Sequence, residues 1–181
     1  MKNKFLLLLA LLISGAAFAA DNSAKTKVLL VTGGHGFEKE PFLNVFKENS
    51  EITFTHAEHG KTNATVYERD DLLTYDVVVL YDMPKNITDT QKTNFLSLFD
   101  KGTGLVVLHH ALVSYQHWPK YERVIGGRYP EEGKSGAVTP EGGYEHDVEV
   151  PVVIVAKDHP VTAGVKEIGR ASCRERVLVQ V

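Results

Sequence analysis

Gly104-Leu-Val-Val-Leu-His-His-Ala111 decides how the chain is read. Gly104 to Leu108 carry no polar or charged side chain, and Lys101-Gly102-Thr103 opens the run. A short apolar run bounded this way predicts a strand buried on both faces of a parallel sheet. His109 and His110 stand where the run ends. Open α/β sheets bind ligands in the crevice beyond the carboxyl ends of their strands. Titratable side chains at that edge are therefore placed for chemistry.

Working outward, Lys27 to Thr32 is a strand of the same kind, ending in Gly33-Gly34-His35-Gly36. Glu38 to Glu48 predicts a helix with Phe42, Val45 and Phe46 on its inner stripe. Pro41 falls in its first turn, where a missing N–H costs little. Ile52 to Ala57 alternates and predicts a half-buried second strand near the sheet edge. Val77 to Leu80 is a third strand, running out at Tyr81-Asp82-Met83-Pro84. Thr88 is a helix N-cap for Asp89 to Phe99, with Phe95, Leu96 and Phe99 inward and Gly102 as the stop. Trp118 to Ile125 predicts a short helix closing at Gly126-Gly127. Arg128 to Asp147 is a long, glycine-rich, charged connection of the kind that is functional or mobile. Val150 to Ala156 returns to strand character before the turn Asp158-His159-Pro160. This alternation predicts a three-layer α/β/α sandwich around a mostly parallel, doubly wound sheet, in one domain.

The two ends read differently. Met1 to Ala19 has a basic start, an apolar core from Phe5 to Ile13 and an Ala-x-Ala end. Residues 1–19 are expected to be a secretory signal peptide, so the protein is exported to the periplasm or beyond. The apolar core is too short for a membrane span, which needs roughly 20 residues. Glu167 to Val177 reads like the in-frame translation of a sequencing adapter. Residues 167–181 are therefore expected to be artefact, leaving a C-terminally truncated domain over 20–166. The net charge of −3 becomes more negative when both ends are set aside. An acidic chain without a basic run is a poor candidate for binding nucleic acid or anionic lipid. The only cysteine, Cys173, lies in the suspect tail, so neither a disulfide nor thiol chemistry is expected.

Chemistry is sought at the strand ends. Neighbours on a strand face opposite ways, so one of His109 and His110 enters the crevice while the other packs or bonds to backbone. The Gly33-Gly34 turn offers N–H groups at a helix start, suited to an anion or a sugar hydroxyl. It is neither a dinucleotide fingerprint nor a phosphate loop. His35 reaches the same crevice, and Asp82 brings a carboxylate there for general acid–base work. His146, flanked by Glu145 and Asp147, either folds over the site or belongs to a solvated acidic loop. His56, His59 and His117 are read as surface or packing residues, and His159 as a turn residue. Structural histidines, a ligand-free turn and a loop-capping Asp82 are the competing readings of the same residues. A strand-to-helix elbow in a hydrolase carries Ser or Cys, whereas this one offers His109, with Ser114 too far along. Without His-x-x-x-His or His-x-x-Glu-His spacing, a zinc site would have to be assembled from separate loops.

Val28-Leu-Leu-Val-Thr-Gly-Gly-His35, Tyr75 to Leu80, Gly104 to His109, Ile125-Gly-Gly-Arg128 and Asp158-His-Pro-Val-Thr-Ala-Gly164 together resemble the ThuA-like family of trehalose-utilisation type. The resemblance covers nearly all of Lys27 to Val165. It implies a fold like the class I glutamine amidotransferases, with a flavodoxin-like sheet. Their catalytic elbow cysteine is matched here by His109, so the amidotransferase reaction does not carry over. The acidic Asp-Glu stretch and the late Gly-Arg and Gly-His region that usually follow in the family are not in this chain. The resemblance implies carbohydrate utilisation, including keto-disaccharides, and a divalent metal such as zinc in some members. The expectation is an exported enzyme acting on a keto-sugar or glycoside by histidine acid–base or metal-assisted chemistry. His109 is then the acid–base group or metal ligand, with His35 and Asp82 assisting. Gly33, Gly34, His110, Tyr129 and His146 are expected on the substrate side. The alternative is a non-catalytic carbohydrate-binding module of a larger protein, with Tyr81, Tyr115, Trp118 and Tyr129 stacking on sugar faces.

Overall fold

Every residue from Val28 to Gly33 is buried, as a strand with helices on both faces requires. A computed structural model describes residues 24–60, 62–129 and 153–165, with the backbone of the short strands 148–150 and 171–173. The elements are β1 (Thr26–Gly33), α1 (Lys39–Lys47), β2 (Ile52–His59), β3 (Val77–Asp82), α2 (Asp89–Asp100), β4 (Gly104–Val107) and α3 (Pro119–Ile125). A 3-10 turn at Thr65–Glu68 follows β2, and another at His109–Val113 forms the elbow after β4. The four strands are all parallel, in the order β2-β1-β3-β4. From β1 the chain steps to one edge, and from β3 to the other. The order therefore reverses between β1 and β3, the place where doubly wound sheets bind ligands.

Strand alternation sorts the core into two layers. Leu29, Val31, Val78 and Leu80 pack with Tyr67, Phe95, Leu98, Tyr115 and Tyr121 on the α2–α3 side. Val28, Leu30 and Val79 pack with Leu43, Phe42 and Phe46 on the α1 side. The sandwich thus has three layers, as the alternation predicts. Three details differ from expectation. β4, expected to be buried on both faces, is the edge strand among the described residues, and its residues are half-buried or exposed, because no described strand or helix covers its outer side. Leu43, rather than Val45, fills the inner stripe of α1, and Val45 is 67% exposed. In α2, Leu98 joins Phe95 as a fully buried residue, with Leu96 and Phe99 at the margin. Thr88 caps α2 through a reciprocal box: its Oγ1 accepts from the Gln91 N–H at 3.2 Å, while Gln91 Oε1 accepts from the Thr88 N–H at 3.0 Å.

The strand expected over Val150–Ala156 is not formed as such. The strand observed is β5 (Val148–Val150), which pairs antiparallel with β6 (Ala171–Cys173) in a separate ribbon. Val153 and Val155 face solvent, 71% and 91% exposed. β6 lies within the tail that was expected to stand outside the domain. Residues 1–19 lie outside the described residues. Among the described residues no helix is long and apolar enough to cross a membrane.

Candidate functional site

The carboxyl ends of β2, β1 and β3 lie level. Gly33 pairs in register with His59 on one side and with Asp82 on the other. Only glycine fits the middle position. Its φ is +117°, and a Cβ there would stand 2.2 Å from the His59 carbonyl oxygen. Gly34 is constrained in the same way, with φ +85° and a would-be Cβ 2.6 Å from the Met83 carbonyl oxygen. The Met83 N–H donates to the Gly33 carbonyl at 2.8 Å, locking the turns after β1 and β3 together. The paired glycines let three strand ends close at one point, whatever they bind.

On the α1 side of that point lies an imidazole cluster. His35 Nε2 donates to the Tyr81 carbonyl at 3.0 Å, and its ring stacks on His110 at 3.8 Å and 16°. Tyr81 meets His35 edge-on at 4.7 Å, and Phe37 and Phe42 extend the aromatic wall. His109 packs edge-on against His110 at 4.3 Å. It is held at the elbow with φ +32°, a conformation that L side chains rarely adopt. The strand has already ended at Val107, which frees the two histidines from the alternation expected of them. His109 and His110 are half-buried neighbours on one turn. Tyr129 is tied to that turn, its N–H donating to the Leu112 carbonyl at 3.0 Å.

Asp82 is turned to the other layer. Its side chain is wholly buried, and its neighbour is His59, with Nε2 3.6 Å from Oδ2 and neither side chain exposed. His59 Nδ1 accepts the Val66 N–H at 3.3 Å. That bond requires a lone pair on Nδ1, so a neutral ring carries its proton on Nε2, facing Asp82. Burial pushes the Asp82 carboxyl up to about 7 and the His59 imidazole down to about 4.

The expected trio of His109, His35 and Asp82 is therefore divided by the sheet. His35, His109 and His110 gather on one side of the switch point, while Asp82 faces His59 on the other. His59 was read only as surface or packing. What could have found it is its register opposite Gly33, which one sequence does not display. Ser114 is buried and donates its Oγ to the Asp82 carbonyl at 3.1 Å, so it has a structural post. Tyr81 and Tyr115 are buried, and Trp118 packs against the core, which takes three of the four expected sugar-stacking rings into the interior. His56 pairs with the Thr32 hydroxyl at 2.7 Å, and His117 is exposed. His146, with Glu145 and Asp147, lies outside the described residues. The described residues do not fit a metal: none of their His, Cys, Asp and Glu side chains form a group of three or more arranged to hold one. The face-to-face stack of His35 and His110 explains this for the imidazoles, since their in-plane lone pairs run in parallel planes.

A doubly wound parallel sheet with histidines at its switch point defines the class. The family model for ThuA, described as trehalose utilisation, matches residues 27–173. The chain belongs to this family, which carries a carbohydrate-utilisation role. The fold is similar to that of a ThuA-like protein from Parabacteroides merdae solved as a crystal structure, with a TM-score of 0.62 and 23% identity. That match covers 80% of this chain and 59% of the other, so the chain spans under two-thirds of its length. No curated protein matches the chain in sequence.

Proposed function

We propose that the protein is an exported carbohydrate-processing enzyme that takes a keto-sugar or glycoside at the β1–β3 switch point. Three imidazoles gathered there carry the reading: His35 and His110 stacked at 3.8 Å, and His109 edge-on to His110. Imidazole is the side chain whose ordinary pKa lets it both give and take a proton near neutrality. Proton transfer by a positioned group contributes roughly 10²–10⁴-fold to a rate. In this reading His109, on the strained elbow, is the acid–base group. His110 and His35 orient it and the ligand, with the Gly33-Gly34 turn and Tyr129 beside them. Asp82 has no direct part, being shut behind the sheet. Export rests on the pattern of residues 1–19.

The test is turnover of a panel of keto-glycosides, followed by mass spectrometry, for the wild type and His109→Ala. A fall of about 100-fold in kcat is expected of the variant, in line with loss of one proton-transfer group. Equal turnover by both proteins removes His109 from the chemistry. Binding by calorimetry with no product from either protein would instead make the chain a carbohydrate-binding module.

A further inference from the structure

Behind the sheet, polar atoms of four buried side chains find no hydrogen-bond partner among the described residues. They are His59 Nε2, both carboxyl oxygens of Asp82, and the hydroxyls of Tyr67 and Tyr115. The chemistry proposed above uses none of them. β2 ends in His59, the 3-10 turn after it carries Tyr67, β3 ends in Asp82, and Tyr115 follows the elbow. None of the four residues is more than 3% exposed. His59 Nε2 stands 3.6 Å from Asp82 Oδ2, outside direct hydrogen-bond reach. The Tyr67 ring meets His59 edge-on at 5.0 Å. The Tyr67 and Tyr115 hydroxyls neighbour each other and Asp82; burial, with that carboxyl adding to it, keeps both protonated, well above the usual tyrosine range. Tyr115 is brought there on a backbone held at φ +50°, its N–H donating to the Pro84 carbonyl at 3.3 Å.

Buried polar side-chain atoms are nearly always bonded, either to protein or to ordered water. A closed cluster that offers donors and acceptors across a gap too wide for a direct bond suits a bridging water. The donor set argues against other occupants. His59 Nδ1 takes the Val66 N–H at 3.3 Å, so a neutral ring presents a proton at Nε2 and has no lone pair there for a metal. A cation would meet that proton, and an anion would meet the lone pairs of Asp82. The occupant that fits is neutral, both gives and accepts hydrogen bonds, and is small enough to enter a closed interior. We propose that the space behind the switch point is a water site, in which one ordered water bridges the Asp82 carboxyl to His59 Nε2 and the tyrosine hydroxyls. The water donates to an Asp82 oxygen and accepts from His59 and from Tyr67 or Tyr115. It thereby ties β2, β3 and the segment after the elbow together at one point. Water can turn to donate or accept, so it serves Asp82 in either protonation state.

Two measurements on the full chain test this. In a high-resolution crystal structure, a water peak is expected within about 3.2 Å of an Asp82 carboxyl oxygen and of at least one of His59 Nε2, Tyr67 Oη and Tyr115 Oη. Side chains bonded directly to one another, with no water among them, would overturn the proposal. In solution, ¹⁷O magnetic relaxation dispersion reads waters held for longer than the protein takes to tumble. The double variant Tyr67→Phe/Tyr115→Phe keeps both rings and removes two of the water's partners. Its dispersion amplitude should fall by one water. An unchanged amplitude, in a variant whose far-UV circular dichroism matches the wild type, would equally overturn the proposal. Neither readout depends on sugar turnover.

Discussion

His109 is held at φ +32° although it carries a Cβ. That region costs an L side chain roughly 1–2 kcal/mol per residue. Glycine is free of most of this cost, so His109→Gly should raise stability by about 1 kcal/mol, read from urea midpoints. The same change should reduce sugar turnover, a trade of stability for activity that strained functional positions show. At Asp82 and His59 the argument concerns pH. The folded pKa of Asp82 is raised to about 7 from 3.8, so its contribution to stability is whole below pH 3.8 and lost as pH climbs through 7. His59 is lowered to about 4 from 6.5, so its contribution is whole above pH 6.5 and lost as pH falls through 4. Between those limits the two slopes oppose, and the pair leaves stability nearly level. Asp82→Asn should uncover a stability that rises from pH 4 to 6.5, by up to about 3 kcal/mol, and His59→Gln one that falls. Urea midpoints at the two pH values decide it, and identical profiles for all three proteins would remove the pair from the balance.

Among the elements, α2 and the β1 turn offer the clearest tests. Thr88→Ala removes the hydroxyl that accepts from the Gln91 N–H, leaving only the backbone half of the capping box, and should cost about 1 kcal/mol of stability in thermal unfolding. Gly34→Ala meets the Met83 carbonyl and a disfavoured φ together, and should lower stability more than Thr88→Ala does. Elements of this kind were legible in the sequence because their signals are local. The cap at Thr88, the glycine stop at Gly102 and the apolar runs of β1, β3 and β4 each sit within a few residues of what they control. The inner stripe of α1 was harder, since Leu43 and Val45 are both apolar and only packing against Phe46 and the sheet decides between them. Non-local relations were not legible. Which side of the sheet Asp82 takes, and that His59 waits there, depend on register between strands far apart in sequence. The histidines at the end of β4 were found because apolar runs mark where strands stop. Their stacking with His35 was not, because it needs the elbow geometry.

At the scale of the whole molecule, the sheet ends at β4 among the described residues, and Val106 on that edge strand is 43% exposed. An edge strand with an apolar outer residue is a template for pairing with another chain. Val106→Lys should therefore reduce self-association of the purified protein in sedimentation velocity while leaving its far-UV circular dichroism unchanged. If the variant associates as the wild type does, the contact lies elsewhere. The placing of β1 has another consequence, one of timing. β1 is central, yet it is made before both of its partners: Val28 pairs with Phe54 on one side and with Val77 on the other. A nascent chain leaving the ribosome thus carries an apolar ribbon with both long sides open until β3 has been synthesised. Vectorial folding cannot begin at the first strand, and the sheet cannot close around β1 until Asp82 has left the ribosome.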